Sequence, residues 1–424
     1  MKHKIIVKGP ALSQTGYGEQ TRFALRSLRS RPDLFDIYLM NLEWGKSNHI
    51  IEADEEKAWI IETLRKTAFY IQGNQGNVQF DLSLQVTIPN EFEKMAPINV
   101  GYTAGIETTK VAPQWLQQAN DIMDSLIVIS NHAKEVYEKT TVPAQMPDGS
   151  TIPYRLQKPC TVVNYPLKPQ ECEDLDLDLP YDFNYFVTSQ WGPRKNMENT
   201  IRWFVEENID REVGLIVKTN FFKNCTIDRD FTQRRLKQLL EPYGERKCSV
   251  TLLHGYMSEK QMQSIYRHPK VKVMINIAHG EGFGLPLFDA AAAGLPIMTI
   301  DWSGQTDFLY VPTKDKKGKK RNKSHFLKVD YDILPVQKEA VWDGVIQADS
   351  QWAYPREGAY KMALRKMKND YHVYAGLAKK LKKWVNKEFK PEKQYKLFVG
   401  ALEQHLEDKG AWLSEVEDML QHYE

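Results

Sequence analysis

The segment HGEGFGLPLFDAAAAG, residues His279–Gly294, places three glycines and two carboxylates directly after an apolar strand candidate. Gly280, Gly282 and Gly284 let backbone N–H groups approach a ligand closely. A helix is predicted to begin near Pro286, and its positive dipole end would face the loop. The pattern predicts a binding site for an anionic or hydroxyl-rich ligand, while a structural strand–helix turn remains an equal alternative for the glycines.

Two carboxylates in this segment suit hydroxyl groups. Glu281 lies at the tip of the loop, and Asp289 follows eight residues later, about one turn inside the predicted helix. A carboxylate at either position can accept hydrogen bonds from sugar hydroxyls. The spacing therefore favours a sugar or a ribose as part of the ligand.

A second constellation is basic. The segment TSQWGPRKN, Thr188–Asn196, follows a strand candidate and precedes a predicted helix. Arg194 and Lys195 adjoin the helix start, so they add two full positive charges to the partial charge of the helix end. We expect this pair to bind a diphosphate, and two solvated loop charges are the alternative.

Together these segments resemble the family-4 retaining glycosyltransferases of the GT-B fold. The resemblance covers roughly residues 185–310 and rests on HGEGFGLP…D, on LHGYMSEKQMQSIY before it and on AAAGLPIMTIDWSGQTDFL after it. In that family a Glu, seven residues and a second Glu mark the donor site. The first corresponds to Glu281, near the transferred sugar, and the second is replaced by the shorter Asp289, which would contact the ribose.

The resemblance also implies roles for the basic pair. Lys195 aligns with the lysine that stabilises the leaving nucleoside diphosphate. The arginine usual a few residues earlier is Gln190 in this chain, so Arg194 is its expected substitute. The residues we assign to donor binding are Gly16, Gly18, Gln190, Gly282, Phe283, Gly284 and Asp289.

The amino-terminal loop GPALSQTGYG, Gly9–Gly18, lies between the first strand candidate and a predicted helix. It lacks the third glycine of a dinucleotide fingerprint and the lysine of a P-loop. In related transferases the first glycine-rich loop faces the donor across the cleft and touches the phosphates or the acceptor. The resemblance gives this role to Gly16 and Gly18, and a tight turn without a ligand is the alternative.

Two further loops follow strand candidates, where open α/β sheets place ligands. The first, YTAGIETT, contains Glu107, whose carboxylate could orient or deprotonate an acceptor hydroxyl. A surface carboxylate at a helix start is the alternative for Glu107. The second loop contains His132, and both this residue and His279 fit either a structural or a catalytic role.

No metal site is predicted. The two Asp-x-Asp patterns, within Asp174–Asp178 and Asp228–Asp230, lie in a linker and in a charged loop. Arg194, Lys195 and helix dipoles can supply the charge stabilisation that a divalent ion would provide. We therefore expect a nucleotide-sugar co-substrate and no metal or other cofactor.

The elements that must position these residues alternate between short β-branched runs and longer helical stretches, which predicts parallel sheets covered by helices. Strand candidates include Ile5–Lys8, Ala68–Ile71, Tyr185–Ser189 and Val271–Asn276. The segment KPQECEDLDLDLP, Lys168–Pro180, has no helical periodicity and is predicted to be a linker.

We predict an α/β protein with the GT-B architecture, in which two doubly wound Rossmann-like domains face each other across a cleft. Residues 1–168 would form the acceptor-side domain and residues 181–390 the donor domain. Residues 391–424 would form helices that cross back to the first domain.

Composition limits the possible partners. The chain of 424 residues has 57 basic and 55 acidic side chains, a net charge of +2, which excludes a bulk polyanion-coating protein. Any nucleic-acid contact must come from a local patch. Lys314–Lys323, KDKKGKKRNK, is such a patch and could engage phosphates of DNA or an anionic membrane, with a solvated, mobile loop as the alternative. The helical tail adds four lysines at positions 379, 380, 382 and 383.

The four cysteines have no Cys-x-x-Cys spacing, which favours a reducing compartment. The first ten residues hold an apolar run of only three residues, and no stretch approaches the roughly 18 apolar residues of a membrane span. We expect a soluble protein of the cytoplasm, or of the host cytoplasm if it is encoded by a phage.

The general architecture and the segments DLSLQVTIPNEFE and GYTAGIETT are similar to glycosyltransferases of tailed bacteriophages, some of which glycosylate hydroxymethylated bases of phage DNA. The resemblance implies a retaining hexosyl- or pentosyltransferase, with modified DNA as the leading acceptor. A surface saccharide or a lipid-linked glycan is the second possibility. A non-catalytic sugar- or nucleic-acid-binding protein and a sugar-nucleotide epimerase are the others, and the patterns specify neither the sugar nor the oligomeric state.

Overall fold

The computed structural model describes residues 2–45, 47–314 and 318–421, with side chains up to residue 406. Its main elements are two six-stranded sheets in which every neighbouring pair of strands is parallel. Helices cover the sheets, and the buried apolar side chains lie between helices and sheets. The predicted α/β architecture of two doubly wound domains is confirmed.

The first sheet has the strand order β2-β1-β3-β4-β5-β8. The strands of this half are β1 (His3–Gly9), β2 (Phe35–Asn41), β3 (Leu82–Val86), β4 (Ile98–Thr103), β5 (Ser125–Val128), β6 (Val142–Gln145), β7 (Thr151–Tyr154) and β8 (Cys160–Val162). The helices are α1 (Gly16–Arg29), α2 (Glu55–Gly73), α3 (Pro113–Ile122) and α4 (Asn131–Lys139). Strands β6 and β7 form a separate antiparallel hairpin.

The second sheet has the order β11-β10-β9-β12-β13-β16. Its half contains β9 (Asn184–Thr188), β10 (Gly214–Lys218), β11 (Ser249–Leu253), β12 (Val271–Asn276), β13 (Ile297–Ile300), β14 (Tyr310–Lys314), β15 (Lys320–Ser324), β16 (Leu327–Val329), β17 (Tyr331–Pro335) and β18 (Gln351–Pro355). Its helices are α5 (Met197–Asn208), α6 (Thr226–Leu240), α7 (Glu259–Arg267), α8 (Leu285–Ala293), α9 (Thr306–Leu309), α10 (Glu357–Asn369) and α11 (Tyr371–Glu388). The last helix is α12 (Pro391–Gln421).

The strand order explains why the predicted site residues meet. In the second sheet the chain runs outward from β9 to β11 and then returns to place β12 on the other side of β9. The order therefore reverses between β9 and β12, and ligands of open α/β sheets bind outside the carboxyl ends of the strands at such a point. The loop after β9 carries Arg194 and Lys195, and the loop after β12 carries Glu281.

Helix α12 packs on the first domain. The Phe398 ring lies 5.3 Å from the Phe23 ring of α1 and 5.0 Å from that of Tyr102. Arg31 forms an ion pair of 2.8 Å with Glu403 of the same helix. The segment that joins the domains, around Lys168, has no helix or strand in the described structure, and residues 422–424 lie outside the described residues.

One strand prediction is wrong. Ala68–Ile71 lies inside α2, which begins after Asp54, whose carboxylate accepts a hydrogen bond of 2.8 Å from the Lys57 backbone N–H. The Phe69 side chain is 71% exposed, so this apolar run has no core to bury in. A run of four apolar residues fits a short strand and a helix turn equally well, and the capped 19-residue helix determines the outcome.

The described part of the basic segment Lys314–Lys323 lies mostly in two strands. Strands β14 and β15 form an antiparallel hairpin in which Tyr310 pairs with Ser324 and Lys314 with Lys320. Residues 315–317 of the predicted patch lie outside the described residues. The expected loop conformation is therefore wrong for the residues of these two strands, and binding of phosphates by the segment stays a prediction.

Candidate active site

The loop between β12 and α8 holds Glu281 in a fixed position. Its backbone N–H donates to the Ser303 hydroxyl at 2.8 Å, and its carbonyl accepts from the Gly304 N–H at 2.9 Å. Gly284 ends the loop in the left-handed region, with φ of +87°, and forms the N-cap of α8. The loop thus presents the carboxylate of Glu281 at the amino-terminal end of a helix.

The Glu281 carboxylate is buried and fully paired. Lys195 Nζ donates to its two oxygens at 2.7 and 2.6 Å, and the Asn276 side-chain amide donates at 2.9 Å. Arg194 Nη1 lies 3.5 Å from the second oxygen. Because the Glu281 side chain is only 7% exposed, these partners replace the water that an ionised carboxylate requires.

The basic pair lies in a tight turn just before α5. Residues Pro193–Lys195 form one 3₁₀ turn, and Asn196 follows with φ of +51°. The Asn196 amide donates to the Ile277 carbonyl at 3.1 Å, and the His279 N–H donates to the Arg194 carbonyl at 2.9 Å. These bonds join the loops after β9 and β12 into one unit.

The fourth charge comes from the facing domain. Glu107, in the loop after β4, lies with one carboxylate oxygen 3.0 Å from Arg194 Nη1. Gly280 must remain a glycine at this contact, because a Cβ there would lie 2.8 Å from the Glu107 backbone oxygen. The structure thus brings together four predicted residues from both domains: Glu107, Arg194, Lys195 and Glu281. We call these the four-charge cluster.

The cluster shifts the protonation of its members. Burial opposes ionisation of Glu281, but the positive charges of Lys195 and Arg194 outweigh it and lower the pKa of Glu281. Burial and the neighbouring Arg194 lower the pKa of Lys195, despite the attraction of Glu281. Burial alone would lower the pKa of Arg194, and the carboxylates of Glu107 and Glu281 raise it instead. The Glu281 carboxylate is thus held ionised beside the guanidinium.

Asp289 lies buried on α8, apart from the four-charge cluster and near a second group of charges. Burial raises the pKa of Asp289 to about 7, and the charge of Lys168 only partly opposes this. Lys168, from the segment joining the domains, forms an ion pair of 2.8 Å with Glu259 of α7. Glu19 of α1 also acts on the Asp289 carboxyl. This group therefore joins both domains beside α8.

The glycine-rich loop after β1 contains two glycines with different surroundings. A Cβ at Gly18 would lie 2.0 Å from the Ser13 carbonyl oxygen, so the turn itself requires this glycine. A Cβ at Gly16 would meet no heavy atom within 4 Å. The fold thus requires glycine at position 18. The open space at Gly16 is compatible with the predicted close approach of a ligand.

Gly282 lies against the first domain. A Cβ there would approach the Ala104 carbonyl oxygen to 3.3 Å and the Ile129 side chain to 3.4 Å. The domains also touch where the Asn224 amide donates to the Gln14 side chain at 3.2 Å. The loop that carries Glu281 is therefore covered by the facing domain.

Phe283 and Gln190, which the sequence assigned to donor binding, both contact other residues of the protein. The Phe283 side chain is buried, with its ring 5.3 Å from the Tyr165 ring and 5.1 Å from the Phe308 ring. Its side chain packs in the core, and a role for Phe283 in donor binding stays a prediction. Gln190 donates from its side-chain amide to the Phe221 carbonyl at 2.6 Å, and its role in donor binding stays a prediction.

The sequence left the roles of His132 and His279 open, and the structure gives the two side chains different surroundings. His279 is buried, contacts the Ala353 carbonyl oxygen through Nδ1 at 2.7 Å and stacks on the Trp352 ring at 4.9 Å, which indicates a structural role. Burial lowers the pKa of His132 to about 4, so this side chain is neutral at pH 7. Its ring packs against Trp302, 5.0 Å away.

The sequence reasoning missed three residues of the site. Asn276 and Ser303 hold the side chain and the backbone of Glu281, and the charge of Lys168 acts on the pKa of Asp289. The position of Asn276 at the carboxyl end of an otherwise apolar strand is a signal that could have identified it. Nothing local distinguishes Lys168, because its partners come from helices far along the chain.

Within the described residues, no group of three or more His, Cys, Asp or Glu side chains is arranged to hold a metal ion. In this part of the chain no helix is long and apolar enough to cross a membrane. Neither observation identifies a ligand.

Comparison with known proteins gives matches by fold alone. No protein-family model and no curated protein sequence matches the chain. The sucrose-phosphate synthase of Thermosynechococcus elongatus superposes with a TM-score of 0.61 at 14% identity, over 96% of this chain and 100% of that one. A glycosyltransferase from Rickettsia africae gives 0.59 at 10% identity, over 96% and 99% of the two chains. HepE from Anabaena, in complex with UDP and glucose, gives 0.56 at 12% identity, over 95% and 100%.

These proteins match both domains and their order along the chain. The chain has the GT-B fold. In this GT-B chain the four-charge cluster lies where the two domains meet, which is a preferred position for ligand sites. Because the identities are low, the roles of its residues rest on the geometry of the cluster.

Proposed function

We propose that the chain is a glycosyltransferase that moves a sugar from a nucleotide-sugar donor to an acceptor hydroxyl. The observation that carries this proposal is the position of Arg194 and Lys195, beside Glu281, at the point where the strand order of the second sheet reverses. Basic groups at that point can bind a diphosphate, and a carboxylate beside them can hold sugar hydroxyls.

The chemical step we propose is substitution at the anomeric carbon through an oxocarbenium-like state. As the bond to the diphosphate breaks, negative charge grows on the leaving oxygen, and Arg194 and Lys195 stabilise it. Glu281 orients the donor hydroxyls and forms no covalent intermediate. We further propose that configuration is retained, with attack by the acceptor on the face that the diphosphate leaves.

Donor binding must rearrange the four-charge cluster. Both cations are paired with carboxylates, and Glu107 contacts Arg194 from the other domain. The diphosphate competes with these carboxylates for the cations, so we propose that Glu107 releases Arg194 when the donor enters. Glu107 is then free to contact the acceptor, which is the role the sequence suggested for it.

The experiment that tests the transferase proposal is release of nucleoside diphosphate from a panel of UDP-, GDP- and ADP-sugars, with and without a mixed pool of acceptors. Release that depends on an acceptor supports transfer. Conversion of one nucleotide sugar into another without an acceptor would instead indicate an epimerase. If the protein leaves every donor unchanged, the proposal fails for this panel.

We propose a hydroxymethylated base of DNA as the acceptor, on the strength of the phage-enzyme resemblance, with a surface saccharide or a lipid-linked glycan second. An enzyme acting on a duplex must also expose the base. The test is transfer of labelled sugar to hydroxymethylcytosine-containing DNA beside unmodified DNA and oligosaccharides. Label in the modified DNA alone supports the first acceptor, and label in oligosaccharides alone overturns it.

We also propose that transfer needs no divalent metal, because Arg194 and Lys195 can together offset the negative charge of a diphosphate. The test is turnover after exhaustive dialysis against EDTA. Activity that is lost on dialysis and restored by Mg²⁺ or Mn²⁺ would contradict this.

A second candidate function is nucleotide-sugar binding without turnover. The observation that favours it is that Glu281 and Glu107 neutralise both cations of the cluster. Isothermal titration with each nucleotide sugar separates the two candidates. Binding without any release of diphosphate, in the presence of every acceptor class, would favour the binding protein.

A further inference from the structure

The donor domain carries two lysine-rich segments that are far apart in sequence and adjacent in space. The first is the hairpin of β14 and β15, within a stretch that holds seven basic residues and one acidic residue in ten positions. The second is α11 and its end, with six lysines and one glutamate between residues 379 and 390. Strand β14 packs against α11, so the two segments form one surface, which we call the basic face.

Eight lysines of this face, three in the hairpin and five in α11, are exposed and form no ion pair with a described carboxylate. The hairpin exposes Lys314, Lys320 and Lys323. The exposed lysines of α11 are Lys379, Lys380, Lys382, Lys383 and Lys387. Nearby ion pairs engage Lys328 with Asp301 and Lys393 with Glu388, and no described carboxylate lies within 4.0 Å of the α11 lysines.

The charge of these two segments contrasts with that of the rest of the chain. The whole chain has 57 basic and 55 acidic side chains, so the chain outside these two segments is net acidic. Repulsion between unpaired lysines disfavours the folded state, and a bound polyanion relieves it. The face therefore has the charge pattern of a binding surface for an anionic polymer.

The apolar side chains of the basic face distinguish between a membrane and a nucleic acid as its partner. Among the described residues of β14, β15 and α11, the large exposed apolar side chain is Val373, at the start of α11. Trp384 packs with its ring 5.4 Å from that of Phe389 and is only partly exposed. Helices that bind membranes bury an apolar face in the lipid, and this surface offers none. We propose that the basic face binds the phosphate backbone of a nucleic acid.

The face is separate from the four-charge cluster. The Lys382 stem covers Gly294, where a Cβ would lie 3.0 Å from Lys382 Cδ, at the carboxyl end of α8. Glu281 precedes the other end of α8, and nine helical residues span about 14 Å. A polymer on the basic face is thus anchored a helix length from the cluster, and this binding does not depend on sugar transfer.

The test measures binding of a fluorescently labelled 30-base-pair unmodified DNA duplex by anisotropy, over a series of salt concentrations. Two charge-reversal variants address the two segments: Lys379→Glu with Lys383→Glu in α11, and Lys320→Glu with Lys323→Glu in β15. The control is Lys94→Glu with Lys237→Glu, which changes the net charge equally at exposed lysines outside the face. Circular dichroism establishes that each variant is folded.

We expect each double variant of the face to weaken DNA binding by at least tenfold at 0.1 M salt, and the control by less than twofold. Each lost phosphate contact should lower the slope of log K against log salt by about 0.9. Equal effects of face and control variants, or no DNA binding at 50 mM salt, would overturn the proposal. Tighter binding to phosphatidylglycerol vesicles than to DNA, lost in the face variants, would overturn it in favour of a membrane.

Discussion

Arg194 Nη1 lies 3.0 Å from the Glu107 carboxylate of the facing domain and 3.5 Å from that of Glu281 in its own domain. One guanidinium thus links the two halves of the GT-B fold at the position where the diphosphate of a donor is expected. If the donor binds as we propose, its diphosphate competes with Glu107 for this cation.

The first prediction concerns that competition. Glu107→Gln removes the charge that competes for Arg194, so we expect the matching nucleoside diphosphate to bind about fivefold more tightly, equivalent to about 1 kcal/mol. If Glu107 also acts on the acceptor, kcat falls in the same variant. Isothermal titration and initial rates measure the two effects, with the exposed Glu135→Gln as the control. Weaker binding of the diphosphate would contradict a competing role for Glu107.

The second prediction concerns pH. The pKa of Asp289 is raised to about 7, whereas an unfolded Asp ionises near 3.9. Between these values the folded chain holds a proton that the unfolded chain has lost, so the Asp289 contribution to the free energy of unfolding falls as pH rises. Asp289→Asn cannot ionise, and we expect it to gain about 3 kcal/mol over the wild type between pH 5 and pH 8.

Urea unfolding of both proteins at several pH values measures this difference directly. Comparison with the wild type cancels the opposite pH dependence of other carboxylates, such as Glu281, whose pKa is lowered. A stability difference that stays constant from pH 5 to pH 8 would show that the Asp289 carboxyl ionises alike in both states.

The third prediction separates two neighbouring glycines. Gly18→Ala places a Cβ against the Ser13 carbonyl oxygen, so we expect a loss of stability and a lower Tm. Gly16→Ala has free space for its Cβ, so we expect an unchanged Tm. If a donor or acceptor approaches Gly16, this variant raises KM while the fold is intact. An unchanged KM for donor and acceptor would remove Gly16 from the binding site.

Much of the site could be predicted because its residues follow recognisable strands. Apolar runs precede both Lys195 and Glu281, and parallel strands bring their carboxyl ends to the same edge of a sheet. The pairing of Arg194 with Glu107 could not be predicted. It joins loops in separate domains, and the docking of those domains depends on surfaces spread over the whole chain.

The errors in the fold have a similar cause. The run Ala68–Ile71 looked like a strand because its apolar content was read without the helix that extends from Asp54. Strand β15, KRNKS, has almost no strand-forming residues, and pairing with β14 determines its conformation. In both places long-range or flanking structure outweighs the local composition.

The central claim is that Lys195 stabilises a leaving diphosphate, and acceptor-dependent turnover of Lys195→Ala tests it most directly. The account predicts that kcat falls by about 10² to 10³ relative to the wild type, the loss found when one charge-stabilising donor is removed from an active site. Lys94→Ala, at an exposed lysine of the first domain, serves as the control and should match the wild type. A folded Lys195→Ala variant that keeps kcat within threefold of the wild type would contradict the account.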